Sequence, residues 1–561
     1  MGSLKTIINL TTLLSCSFLF GEFEEQRINF LIGKKEYATA IDFYLKNIAE
    51  KNVHQPDLLR YLAKSIIENS IKSSDPKEQM LGLYGLMISG AHDTDYDYSA
   101  LIESKDPYVQ MLSIQYLSGW NEDIVETWLN KAMSSPFLPV RMQALGSLVQ
   151  LKSKLALSHI ESLYYRLPPY FRPIFAQFYA ALGTPHSIKI LKQMLSDPNP
   201  EMKIATMLSA TEYRRDDLRD DIKKILSQPD PQVQESAIFA ASHLQDLRCV
   251  ELLQNFTHST HTNLKLAAIL GLLSFFDEKN KPQLFELAQE GNLFAIFSLG
   301  AVDGSEEVLV KLAKTQDYNI KLNTMAALLE KKHPLAKDLL IDFYRTHSPY
   351  DGIAPSFSVG KTQTSLKIFP AFSKQFEKSK EYSHYIQGMT YMIRSRFLIQ
   401  ALELQEADFL QIAETIFEQD IYDVIPTLVH LLENCHSEKA LAMVKKMSQK
   451  VGSPRTRLYC LIALARMKDQ NHIQLFFDFL STHRKQELIQ LQMFDTQDSG
   501  LKDSSRFILS PDENSQLLLE AYETLVYLHD ERSFGLILNT LSKSIKQNQP
   551  VLAGILLKAL L

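Results

Sequence analysis

Cysteine is scarce in this chain. Cys16, Cys249, Cys435 and Cys460 are the four present, far apart and with no CxxC pair. That spacing excludes both a disulfide framework and the usual zinc patterns. Glycine and proline are modest, at 20 and 22 in 561 residues, and no collagen-like or low-complexity tract appears. Charge of one sign is lacking as well. The 59 Lys and Arg against 65 Asp and Glu leave a net charge of -6, which provides no electrostatic footprint for nucleic acid. The chain has no HExxH, no GxSxG, no dinucleotide fingerprint and no recognisable carboxylate pair. No catalytic, metal-ligating or cofactor-binding residue is therefore assigned, and the reading is non-enzymatic.

What is present is periodicity. Hydrophobic residues make up 45% of the chain and recur at three- and four-residue steps, the mark of amphipathic helices. Val109, Val140, Phe171, Met202, Val233 and Leu264 lie 31 residues apart, each expected to open an apolar helix. A period of this length predicts stacked helix pairs, since one pair cannot bury its apolar face alone. Each unit has one grammar. A turn such as Asp106-Pro107, Asp197-Pro198 or Asp230-Pro231 opens it, with Asp as cap and Pro early in the helix. A first helix follows, as in Val233, Ala237, Ala240 and Ala241, whose small residues allow close helix approach. A second turn comes at Gly183-Thr184, Gln245-Asp246 or Phe276-Asp277. The second helix then carries Ile188, Leu191 and Leu195, or Val250, Leu253 and Phe256.

The Asp-Pro turn, the aliphatic residue two on and the alanine four later, as at Pro231, Val233 and Ala237, resemble the short HEAT-type repeat of the phycobilisome-lyase kind. Asp246 to Leu253, DLRCVELL, resembles its second helix. The likeness implies an all-α fold, an α-solenoid of stacked antiparallel helix pairs in a HEAT/armadillo-like superhelix. It also implies a scaffold role, with second helices lining a concave, partner-facing side. Some members of that wider family act on bilin attachment, so a HEAT-like lyase or modifying enzyme is the alternative, beside a cytosolic assembly factor.

The flanks divide the chain further. Residues 1–21 read as a signal peptide, with Lys5 before an apolar run from Ile7 to Phe20 and Glu22, Glu24 and Glu25 after it. Leu13-Leu14-Ser15-Cys16 resembles a bacterial lipobox, which makes Cys16 a candidate lipid attachment site; cleavage near Gly21 is the other outcome. Residues 22–100 read as helical hairpins. There Tyr37, Ala40, Ile41 and Tyr44 share one helical face and resemble a tetratricopeptide hairpin, or form a cap on the array. Asp93, Asp95 and Asp97 alternate like a calcium loop, but Tyr98 and Ser104 stand where such a loop needs Gly and Glu. The main array spans 101–347. Residues 348–382 form a loop or linker whose Gly360-Lys361-Thr362 lacks the earlier glycine of a phosphate loop, Pro355 standing there. A second HEAT-like array covers 383–561, interrupted by a polar loop from Phe494 to Ser505 and ending in an apolar stretch, VLAGILLKALL, expected to dock on the array as a final helix or else to form an exposed patch that meets a partner.

His258 and His261 read as solvated, and Arg214 to Asp221, RRDDLRDD, as a solvated helix face. Lys189, Lys192, Arg219, Asp220, Lys223, Arg248 and Glu251 alternate in sign along the expected second helices. Such a mixture suits a protein or peptide partner on the concave face rather than nucleic acid. The chain is expected to be exported, periplasmic or envelope-attached through its N-terminus, with cytoplasmic residence the alternative. Sequence alone names no partner, partner-binding residue or oligomeric state.

Overall fold

The computed structural model describes residues 25–47, 55–90, 97–120, 123–346, 393–421, 423–449, 454–482, 511–528, 530, 533–547 and 549–561. Cys16 with the rest of residues 1–21, Asp93 and Asp95, residues 348–382 with Gly360-Lys361-Thr362, and residues 494–505 lie outside the described residues. Every regular element among the described residues is a helix. Antiparallel helix pairs stack side by side within each of two compact units, the HEAT-like solenoid arrangement. One unit joins Met1–Leu151 to Leu458–Leu561; the other is Lys152–Arg457. These divisions cut the chain differently from the segments 22–100, 101–347 and 383–561.

The helix openings follow the expected grammar. Asp75, Asp106 and Asp230 accept backbone N–H bonds from Lys77, Tyr108 and Gln232, each ahead of a helix whose first residue is proline. Val109, Val140, Met202, Val233 and Leu264 are all buried. Two details differ. The helix expected after Asp197-Pro198 opens at Pro200, and its cap is Asn199, which accepts from the Glu201 N–H. Phe171 keeps the 31-residue phase but opens no apolar α-helix. Pro169–Ile174 is a 3-10 turn, because Pro173, inside it, has no N–H to donate to the Pro169 carbonyl one α-turn back; Pro169 itself stands where Pro107 and Pro231 open regular helices. The following helix, Phe175–Leu182, buries Phe175, Ala176, Tyr179 and Ala180 instead.

The strictest 31-residue series is in the backbone of the second turn. Lys152, Gly183, Arg214, Gln245 and Phe276 all have positive φ, between 49° and 64°. The N–H after three of them closes the turn: Arg215 donates to Ala210 O, Asp246 to Ala241 O and Asp277 to Leu272 O. This is a left-handed helix cap, which favours glycine. Gly183 has a further reason to be glycine. The Arg215 guanidinium of the next repeat lies against it, 2.2 Å from where a Cβ would sit, and donates to Ala180 O at 2.6 Å. The residue after the turn then caps the second helix or its leading turn, as Thr184 does for Ser187 N, Asp246 for Arg248 N and Asp277 for Lys279 N.

In the unit that joins the two chain ends, the apolar terminal helix Pro550–Lys558 docks on Pro76–Ser89, and Ser533–Lys546 packs on Tyr37–Asn47. Ala40, Ile41 and Tyr44 are fully buried on that face. The approach at Gly554 is close enough that a Cβ would fall 2.8 Å from the Gly85 backbone nitrogen. Asp42 accepts from Ser542 Oγ at 2.6 Å and Lys546 Nζ at 2.5 Å. A buried polar row runs through the same unit. Ser135 Oγ donates to Gln110 Oε1 and Gln110 Nε2 to Ser104 O; Ser104 Oγ donates to Gln79 Oε1, and Gln79 Nε2 to Ser73 O and Ala100 O. Both residue types recur at 31, so one satisfied network spans successive repeats. Asp97 caps the next helix by accepting from Ser99 N, and Tyr98 is buried between Trp120 and Trp128, with ring centroids 5.6 and 4.9 Å away. These are helix-capping and core roles.

In the other unit, Arg394 is fully buried beside Asp423, with Nε 3.1 Å from the carboxylate. Its guanidinium lies 5.5 Å from the ring centres of Phe343 and Tyr344, and Tyr344 Oη donates to the Arg394 carbonyl at 2.8 Å. A buried charge held this way fixes the helix 393–401 on Leu335–Thr346.

Phe276 is 90% exposed, so its side chain adds no packing to offset its left-handed backbone. Phe276→Gly is therefore expected to raise stability by about 0.5–1 kcal/mol, read as a higher midpoint in urea unfolding at an unchanged slope. A lower midpoint would show that the ring is held by contacts.

Candidate interaction surface

The charges expected to await a partner on the second helices are largely used inside the chain. Lys192 lies 3.6 Å from Asp221 on the next second helix. Asp220 receives Arg248 from the one after at 2.7 Å. Arg248 also grips Asp246 through Nε at 2.8 Å and its terminal nitrogen at 2.9 Å. Arg219 pairs with Asp216 at 2.9 Å and caps the Leu244 carbonyl. In the RRDDLRDD run, Arg214, Asp216, Asp217 and Asp220 are exposed as expected; beyond that, Arg214 is the left-handed turn, Arg215 caps the preceding first helix, and Asp220 and Asp221 reach from second helix to second helix. His258 and His261 are both exposed, and no group of three metal-ligating side chains occurs among the described residues. Cys249 and Cys460 are buried, and burial pushes their thiols up to about 11 and about 12; Cys435 is half-buried.

One stretch departs from this self-pairing. From Ser162 to Ser196 the chain has no acidic residue, yet it carries Arg166, Arg172, Lys189 and Lys192. The helix Ala156–Arg166 stops at Leu167 because Pro168 and Pro169 follow. Large side chains are exposed on both sides of this break: Tyr165 on the helix before it is 75% exposed, and Tyr170 and Ile174 after it 64% and 36%. Beneath them lies a packed base. Tyr164 meets Phe175 and Tyr179 edge to face at 5.7 and 6.4 Å, and Phe171 lies against Tyr170 at 4.4 Å. Arg172 stacks over the Tyr164 ring at 5.2 Å. Its Nε is buried with no hydrogen-bond partner, and neither Arg166, Arg172 nor Lys189 has a carboxylate partner among the described residues.

The neighbouring second helix completes the surface. His186 Nε2 lies 2.9 Å from Glu161, a register of 25 residues that sets Lys189 level with Tyr164. Exposed tyrosine and uncompensated arginine on a rigid base are the side chains that dominate protein interfaces. The sequence reading passed over this surface because it followed the repeat, and the surface lies where the repeat fails. The acid-free stretch was the signal that would have located it.

No family model matches this chain, and no curated protein does. Among solved structures it is similar to a Kap95p complex with RanGDP, at 11% identity over 88% of this chain and 78% of that chain, TM-score 0.33. A Kap121p structure is 10% identical over 92% of this chain and 76% of that one, TM-score 0.26. A full-length AP-3 complex is 12% identical over 90% and 95%, TM-score 0.27. Likeness at this level carries no argument about function, and the repeat architecture stands on the helix pairing described above.

The stitched charges give the second helices a pH dependence. Hydrogen bonds from Arg248 hold the Asp246 carboxyl below the usual carboxylate range. A depressed native value means that this stabilisation is complete above the unfolded value, near pH 4, and is lost as pH falls through the folded one. Asp246→Asn is expected to lower the urea midpoint at pH 7, and its deficit against the parent chain should shrink at pH 3.

Proposed function

We propose that this chain is a non-enzymatic protein-binding scaffold of HEAT-like repeats, exported across the inner membrane of a bacterium. The observation that carries the binding role is the surface at Tyr165, Tyr170, Arg166 and Arg172 on an array whose other second-helix charges are mostly satisfied internally. A stacked helix array is rigid, so it presents side chains to a partner with little ordering cost. In short HEAT-type repeats the second helices are the partner-facing side, and Tyr165 lies on such a helix. Export rests on the amino-terminal pattern of Lys5 followed by Ile7 to Phe20.

The binding role is tested with partners isolated on the parent chain from its own cells. Tyr165→Ser combined with Tyr170→Ser should weaken the affinity of a purified partner at least about tenfold, with helical content and melting temperature unchanged. Equal affinity would remove the surface from the role, and the lack of any stoichiometric partner would remove the scaffold reading. Export is tested separately by cell fractionation and mass spectrometry of the amino terminus. Processing near Gly21, or a lipid on Cys16 in the envelope fraction, is expected; an intact 1–21 segment on soluble cytosolic protein would overturn it.

A further inference from the structure

We infer that the surface around Tyr165 and Tyr170 takes an acidic polypeptide segment, one that sets carboxylates against Arg166, Arg172 and Lys189 and apolar side chains against the two tyrosines. This inference rests on the protein-binding reading above and names the chemistry of the partner. Charge complementarity carries it. The whole chain has net charge -6, but the 35 residues from Ser162 to Ser196 contain four Lys and Arg and no Asp or Glu. Two nearby polar groups are already committed internally: Lys192 to Asp221 and His186 to Glu161. Asp197, just past the stretch, accepts from the Asn199 N–H at 2.8 Å and keeps its charge within electrostatic reach of Tyr164, offsetting part of the positive surface without forming an ion pair among the described residues. Three cations are left over.

Their setting favours carboxylates. Arg172 is held flat on Tyr164, which fixes its planar donors and lowers the ordering cost of a bidentate contact. Tyr165, which meets the Tyr164 ring edge on, and Tyr170 are both largely exposed, aromatic surface suited to a segment that mixes Asp or Glu with aliphatic or aromatic residues. Nucleic acid fits less well. A phosphate chain needs a continued stripe of one sign, and here the next second helix presents Asp216, Asp217, Asp220 and Asp221.

The test uses the purified full-length chain and fluorescence anisotropy with three short peptides of equal length and equal aromatic and aliphatic content. Their remaining positions are Glu and Asp, Gln and Ser, or Lys and Arg; a single-stranded oligonucleotide is the fourth probe. The acidic peptide should bind at least about tenfold tighter than the neutral one, and more weakly as salt rises. Arg166→Gln with Arg172→Gln should bring the ratio of acidic- to neutral-peptide affinity down to about one, and circular dichroism should show an unaltered fold. Equal binding of acidic and neutral peptides, tighter binding of the oligonucleotide, or no binding of the acidic peptide up to about 1 mM would each overturn the inference. The two readings separate cleanly. If the tyrosine variant loses its isolated partner while the arginine variant keeps it, the surface stands and the acidic preference falls.

Discussion

A helix pair with one apolar stripe has no place to bury it except against another pair, and every other feature of this chain follows from that need. Val109, Val140, Met202, Val233 and Leu264 occupy equivalent buried positions, each removed from water by the neighbouring repeat. Burial of one such side chain stabilises by about 1.5–3 kcal/mol, but only while the neighbour is in place. The stability of any repeat therefore depends on the next, and the end repeats have a face with no neighbour.

The unit that joins the chain ends resolves this by letting the last helices cover the first. Pro550–Lys558 on Pro76–Ser89 and Ser533–Lys546 on Tyr37–Asn47 supply mutual apolar cover. Gly554 permits the backbones to approach, and Asp42 adds a polar fastening to Ser542 and Lys546. Contacts of such sequence separation close late in folding, since a long loop must be ordered before they contribute. The terminal apolar helix thus acts as the cover that a solenoid otherwise builds from a dedicated cap.

Much of this was legible in the sequence, for a definite reason. The cap, the early proline and the aliphatic residue two on are local signals, and Asp230, Pro231 and Val233 show all three together. The docking of the last helix was legible as an apolar face, but its receiving site was not, because nothing local links residue 554 to residue 85. The left-handed turns were only half legible. Gly183 announces one, whereas Arg214, Gln245 and Phe276 take the same backbone conformation because flanking helices impose it. In RRDDLRDD the charges are largely exposed, as expected, and what the pattern left out is that two carboxylates also reach neighbouring second helices. Alternating signs look alike whether they face water or the next helix, and only the 28- and 29-residue offsets of Asp220 to Arg248 and Lys192 to Asp221 tell them apart.

The candidate surface arises from the same need for neighbours, seen where it is met imperfectly. A regular first helix opening at 169 would have buried Phe171 in the 31-residue phase. Pro173 prevents that helix, the core role passes to Phe175 and Tyr179, and Tyr170 and Ile174 face solvent, as Tyr165 does on the helix before. Because Tyr164 and Arg172 stack on the shifted core, the exposed rings stand on an ordered base rather than on a loose loop. In an array of near-identical pairs, each regular repeat spends its side chains on its neighbours. The repeat that breaks the rule is here also the acid-free one.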